Sequence, residues 1–235
     1  MSEPTYGLIG RGRVAIHMAR YLELEAQSLV AWHRDAPSSA QAALADADVI
    51  LVAISDDSLR SFLAAHAELE DRPLVHFSGS LAIDGAHGLH PLMTFGPELY
   101  DLDTYRSIPF IEERGGVGFR DIFPALRNPS WAIDPEQKPL YHALCVLAGN
   151  FTTLLWSKAI ADFEGKLELP REALVPFLAR TCSNTAYAGR DALTGPLARG
   201  DAKTAARDLR ALDGDPYEGV YRAFAALFGL EEFTA

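Results

Sequence analysis

The segment Tyr6-Gly-Leu-Ile-Gly-Arg-Gly-Arg-Val-Ala15 constrains this chain more than any other. Tyr6 to Ile9 is a short apolar run with strand character. Gly10-x-Gly12-x-x-Ala15 follows, and Val14 to Glu23 has the pattern of a helix. Gly10 permits a sharp turn, Gly12 lets the backbone approach a pyrophosphate, and Ala15 keeps the helix close to the sheet. The free N–H groups at the helix N-terminus attract phosphate charge. A glycine fingerprint gains weight from a strand before it and a helix after it, and both are here. The expectation is a βαβ unit that binds a dinucleotide, with Gly10, Arg11, Gly12, Arg13 and Val14 around the phosphates.

The alternation continues. Ser28 to Arg34 is a second strand candidate and Pro37 to Leu44 a short helix. Asp48 to Ile54 is a continuous apolar run, as a strand buried on both faces of a parallel sheet requires. Ser55 or Asp56 can cap a helix running to about His66. Pro73 to Phe77, Ile108 to Ile111 and Ser130 to Ile133 are further strands. This order predicts a parallel sheet with right-handed crossovers. After Asp134 no strand signal remains. Pro139 opens a long helix to about Phe163. Others follow near Glu172 to Tyr187, where Pro176 must kink the helix or shift its start, and at Asp201 to Leu212 and Pro216 to Phe228. Asp201 and Asp215 serve as caps and Gly214 and Gly229 as stops. The expected architecture is an α/β Rossmann domain over residues 1–134 followed by an all-α C-terminal domain over residues 135–235.

A net charge of -11 argues against duplex nucleic acid as a partner, which would call for a basic stripe. No apolar run approaches the roughly 20 residues of a membrane span. The opening Met-Ser-Glu-Pro-Thr has neither the basic start nor the apolar core of a signal peptide. The chain is expected in the cytoplasm, away from membranes. Its two cysteines, Cys145 and Cys182, lie in apolar helical patterns and are expected as reduced core thiols.

The residue at the end of the second strand discriminates between dinucleotides. That strand ends Trp32-His33-Arg34-Asp35. Arg34 stands where a 2′-phosphate would lie, with His33 to assist. Asp35, turned inward, would favour NAD instead. Charge complementarity favours NADP, with NAD left open. Ile54 and Ser55, ending the third strand, are expected to line the same site.

Two segments bear candidate chemistry in the first half, Val75-His-Phe-Ser-Gly-Ser80 and Gly88-Leu-His-Pro-Leu-Met-Thr-Phe95. Ser78 should face the nicotinamide at the carboxyl edge of the sheet. His90, held on a loop made rigid by Pro91, is a candidate proton donor or acceptor. His76, His87 and His90 lack a Cys or carboxylate at ligand spacing, so no metal is expected. In the second half, Thr194 and Arg199 flank the turn Gly195-Pro196 and could reach an anionic substrate. On the long helix His142, Val146, Gly149 and Thr153 share one face. Asn150, turned somewhat from it, is expected in the same cleft. Gly149 costs on the order of 1 kcal/mol of helix stability against Ala, which suggests a close approach there.

Taken together, the glycine turn, Leu-Val-Ala-Ile-Ser-Asp-Asp57, His-Phe-Ser-Gly-Ser80, His-Pro-Leu-Met-Thr-Phe95, Tyr-His-Ala-Leu-Cys145, Gly-Asn-Phe151 and Leu-Thr-Gly-Pro-Leu-Ala-Arg-Gly-Asp201 resemble a known group. These are short Rossmann-like oxidoreductases with a helical C-terminal domain of unknown function, within the 6-phosphogluconate-dehydrogenase-like superfamily. Pyrroline-5-carboxylate reductases, ketopantoate reductases, prephenate dehydrogenases and deazaflavin-dependent NADP reductases are in that superfamily. The resemblance implies a nucleotide domain, a helical domain and often a dimer built through the helices. Asn150 matches the helix Asn of the ketopantoate reductases, but Val146 stands where they carry Lys. His90-Pro91 is similar to the His-Pro step of prephenate dehydrogenases. The expected activity is NADP-dependent reduction of a small anionic 2-oxo or imino acid. His90, Ser78 and Asn150 are the expected catalytic residues, and Thr194, Arg199 and His142 the expected substrate contacts. The competing expectations are a non-catalytic NADP-binding redox sensor or scaffold, and a reductase passing hydride to a flavin-like carrier.

Overall fold

The computed structural model describes residues 3–230; residues 1–2, at the start of the segment cited against a signal peptide, and 231–235 lie outside it. Among the described residues one sheet holds seven strands in the order β2-β1-β3-β4-β5-β6-β7. These are β1 (Tyr6–Ile9), β2 (Leu29–Trp32), β3 (Val49–Val52), β4 (Leu74–His76), β5 (His87–Pro91), β6 (Phe110–Glu113) and β7 (Ser130–Ile133). The first five are parallel. β6 is antiparallel to β5, and β7 is parallel to β6. The wholly parallel sheet expected from the sequence is thus corrected at its far edge. The fold is a Rossmann-like α/β arrangement followed by a helical C-terminal region, as expected.

The strands read as unbroken apolar runs because both faces are covered. Leu8, Val49, Leu51 and Val75 enter one core with Ala15, Met18 and Tyr21 of α1 (Arg13–Leu24). Their neighbours Ile9, Ile50, Val52 and Leu74 enter a second core with Leu59 and Leu63 of α3 (Asp56–Ala65). The strand period of two sends alternate residues to opposite faces. The helix expected over Pro37 to Leu44 is reduced to α2 (Ala40–Ala43), capped by the Ser39 side chain. Short helices α4 (Leu102–Ser107) and α5 (Phe119–Ile122) pack on the sheet through Tyr105, Phe119 and Ile122, which join Leu89 and Phe110 in the first core.

The segment around His90 is the clearest correction. It is strand β5, not a loop, hydrogen-bonded between β4 and β6.

The long helix begins as α6 (Lys138–Cys145), widens into a π-helical segment over Val146–Phe151, and continues as α7 (Thr152–Gly165). A π turn breaks the 3.6-residue phase, so the shared face expected for His142, Val146, Gly149 and Thr153 does not hold across it. From Pro135 to Gly165 the helix spans 31 residues with a mean hydropathy of 1.3 in its most apolar window. It is therefore long and apolar enough to cross a membrane by length and composition, contrary to expectation. Core helices of soluble proteins meet the same criterion.

The chain divides into two compact units, residues 1–153 and 154–235. The strands do end at Ile133, beside the boundary expected at residue 134. The unit boundary falls later because the start of the long helix packs on the sheet through Lys138, Tyr141 and Gly149. In the second unit, α8 (Val175–Ala188) starts just before Pro176, which resolves the expected kink as a start signal. α9 (Pro196–Arg199) and α10 (Ala202–Ala211) follow, and the Asp201 side chain accepts from the Thr204 N–H as a cap. Asp215 accepts from the Tyr217 N–H ahead of α11 (Glu218–Ala226) and is also held by Lys158 and Lys166. The cysteines are free, but Cys182 is exposed and Cys145 only half-buried, so neither is a core thiol. Both helices bury little: Lys138 is the one buried residue of α6, which carries Cys145, and none of α8, which carries Cys182, is buried.

Candidate active site

The carboxyl ends of β1, β2, β3 and β4 meet at one edge, where the strand order reverses about β1. Ligands of open α/β sheets bind at such a switch point. A cavity of about 710 Å³ opens there. It is lined by Gly10, Arg11, Gly12, Arg13 and Val14 after β1, and by His33 and Arg34 after β2. Ile54 and Ser55 line it after β3, and Ser78 after β4. All nine residues singled out for the cofactor from the sequence are thus gathered on one surface.

Local geometry explains the glycines. Gly10 has φ +124°, and a Cβ on it would collide with the Ala53 carbonyl oxygen. Beside Gly12 there is nothing within 4 Å, so its backbone faces open space at the start of α1. The first N–H groups of a helix lack intrahelical partners and suit an anion. Nδ1 of His33 is buried without a hydrogen-bond partner on the same wall. These features fit a dinucleotide phosphate backbone. Asp35 pairs at 2.6 Å with Arg11, while Arg34 lines the cavity.

Beyond Ser78 the chemistry changes. The Ser78 hydroxyl donates to Asp56 Oδ2 at 2.8 Å and accepts from the N–H groups of Ser80 and Leu81. Its donor and both acceptor positions are engaged within the turn after β4. Ser80 also donates to Asp56.

Next comes Gly79, against which two imidazoles pack. Nε2 of His90 and Cδ2 of His142 lie 3.0 and 3.2 Å from where a Gly79 Cβ would stand. Nδ1 of His90 is 2.6 Å from the Tyr141 hydroxyl. Burial, then the neighbouring His142 and Lys138, hold His90 down to about 4, so its ring is neutral at pH 7. A neutral imidazole still donates through one nitrogen and accepts through the other. Burial pushes the Tyr141 phenol up.

Beneath lies a buried polar layer that sequence reasoning missed. His76 pairs with Gly88 across β4 and β5. The Glu113 carboxylate fills the space a side chain at Gly88 would need, and Lys138 Nζ meets it at 2.5 Å. Burial pulls the Lys138 ammonium down while Glu113 opposes the shift. Burial and Lys138 hold His76 down to about 3. His76 Nδ1 accepts from the Ser78 N–H, which places the proton of the neutral ring on Nε2. That Nε2 has no partner; its nearest acceptor, Glu113 Oε1, is 3.8 Å away.

The other expected site residues are more dispersed. Asn150 is exposed in the π-helical segment, and Gly149 beside it approaches Thr94 at 3.6 Å. Thr194 and Arg199 are exposed in the second unit, at the start and end of the short turn and helix around Pro196.

Residues 115–227 match a family model described as a domain of unknown function, DUF2520. No curated protein matches the chain. Among solved structures it is similar to a candidate NADP oxidoreductase of Bacteroides fragilis, with a TM-score of 0.79 at 22% identity, covering 96% of this chain and 98% of that one. It is similar to an imine reductase of Streptomyces aurantiacus, with a TM-score of 0.67 at 16% identity, covering 96% and 93%. A pyrroline carboxylate reductase of Plasmodium falciparum, solved with NADP bound, gives a TM-score of 0.61 at 13% identity, covering 99% and 100%. At these identities the likeness establishes the fold.

Proposed function

We propose that the protein is an NADP-dependent reductase of a small anionic 2-oxo or imino acid. The observation that carries this reading is the cavity itself: an open glycine turn at a helix N-terminus, Arg11, Arg13 and Arg34, and the unpartnered Nδ1 of His33. The functions named for the three similar structures support its coarser part, a reductase that uses NADP. NADPH, when bound, supplies a hydride to the substrate carbon, and the substrate oxygen or nitrogen gains one proton, ultimately from solvent.

The chain's own residues divide the remaining work. Gly12 and the N-terminus of α1 hold the pyrophosphate, and Arg34 with His33 reads the 2′-phosphate. His90 presents a neutral imidazole beside Gly79 to the reacting oxygen or nitrogen. His142, against the same glycine, and Asn150, with its exposed amide, orient the substrate.

NADPH fluorescence titration, followed by a panel of 2-oxo and imino acids at the nicotinamide absorbance, tests the reading. Binding with oxidation is expected. His90→Asn should lower kcat at least tenfold with little change in NADPH affinity. Tight binding without turnover across the panel would favour a redox sensor, and no binding would overturn the cofactor assignment.

We further propose a homodimer formed through the long helix. Leu140, Leu144, Leu147 and Phe151, on the first unit's part of that helix, are all exposed. Exposed apolar side chains gathered on one helix suit a second helix, whereas lipid would demand apolar side chains all round. Light scattering should report a dimer that Leu147→Asp converts to monomer; a wild-type monomer at micromolar concentration would refute it.

A further inference from the structure

We infer that Tyr141 is a positioning residue for His90: its hydroxyl donates to Nδ1 and so holds the ring as the Nε2–H tautomer, with that N–H against Gly79. What this N–H serves rests on the reductase reading above; the tautomer itself does not.

The geometry leaves the phenol one good acceptor. The Tyr141 oxygen stands 2.6 Å from Nδ1, and the two rings meet edge-on at 79°. A phenolic O–H is a strong donor, and an unprotonated imidazole nitrogen is a strong acceptor. The other group beside the hydroxyl is the Cys145 thiol, one helical turn along, whose sulfur accepts hydrogen bonds weakly. Reversing the bond would leave the phenol O–H only that weakly accepting sulfur to donate to, and would put a bare lone pair on Nε2. Tyr141 lies in the part of α6 that packs on the sheet, so it is rigidly placed to choose between the two arrangements.

The consequence is chemical. A neutral Nε2–H can donate a hydrogen bond to a carbonyl oxygen or imine nitrogen without first acquiring a proton, whereas a neutral Nδ1–H ring would present only an acceptor at that position. His76 shares the same tautomer through a different partner, the Ser78 N–H. The two rings are thereby set independently.

The test is nitrogen-15 NMR of the full chain with labelled histidine, comparing wild type, Tyr141→Phe and, for assignment, His90→Asn. The expected wild-type spectrum shows His90 as a single neutral tautomer protonated at Nε2 from about pH 6 to about pH 8. Tyr141→Phe should replace that pattern with a mixture of both tautomers. A wild-type ring protonated at Nδ1, or an unchanged pattern in Tyr141→Phe, would overturn the assignment. Should Tyr141→Phe not fold, the wild-type tautomer decides alone. A separate NADPH titration of the wild type reports on the cofactor reading. An Nε2–H ring in a protein that binds no NADPH would remove the reductase and leave the role of Tyr141 standing.

Discussion

Arg11 and Asp35 form a 2.6 Å ion pair that ties the glycine turn to the segment after β2. The pair is solvent-exposed, so it is worth at most about 1 kcal/mol. It nevertheless decides where the negative charge of Asp35 points. Asp35→Asn should free Arg11 and tighten NADPH binding by about twofold to fivefold, the range such an energy allows. Arg34→Ala should weaken NADPH by roughly tenfold and leave NADH nearly unchanged. Fluorescence titration of both nucleotides reads both effects. Equal weakening of NADH would mean that Arg34 does not read the 2′-phosphate.

Gly10 and Gly12 should fail in different ways. Gly10→Ala sets a Cβ against the Ala53 carbonyl at φ +124°, so it should destabilise by about 2 kcal/mol or more and lower Tm by roughly 5 °C. Gly12→Ala meets nothing within 4 Å and should leave Tm within a degree or so of wild type. Its loss should appear in NADPH affinity alone. A normal affinity in Gly12→Ala would place the pyrophosphate elsewhere.

The Glu113–Lys138 pair predicts a non-additive result. Glu113→Ala strands a buried ammonium and should cost about 3 kcal/mol. Glu113→Leu combined with Lys138→Met should recover most of that stability. Urea unfolding of the two variants measures the difference, and a double variant no more stable than Glu113→Ala would contradict the coupling.

Acid sensitivity follows from His76 and His90. Both have folded-state values below the ordinary histidine value, about 3 and about 4. Below pH 6.5 the unfolded chain therefore binds protons that the folded chain refuses. Stability should fall as pH drops from about 6.5 toward 4, with a slope approaching about 1.4 kcal/mol per pH unit for each full proton of difference. His90→Asn should flatten this slope between pH 6.5 and 4. An unchanged slope would show that His90 is protonated in the folded protein.

Where the decisive signal was local, the sequence revealed it. The glycine turn, the apolar β3 run and the Asp201 cap each depend on residues within a few positions, and each formed as expected. The β5 strand was hidden because His-Gly-Leu-His-Pro contains a glycine and a proline and has little intrinsic strand preference. Its order comes from neighbours on both sides, not from itself. The π-helical segment left only Gly149 and Asn150 as hints. Ser78 lies on the cavity wall as expected, but its hydroxyl bond to Asp56, 22 residues earlier, was not legible. Tyr141 and Lys138 were invisible for the same reason: their partners, His90 and Glu113, lie 51 and 25 residues away.

Gly88 leaves a trace that related sequences would carry. Its missing side chain is the space into which Glu113 and Lys138 bring their charges. A lineage that gained any side chain at position 88 would have to surrender the carboxylate, and a lineage that lost the carboxylate would no longer tolerate the lysine. The three positions should therefore drift as one character, either Gly with Glu and Lys or a larger apolar set, and intermediate combinations should be scarce.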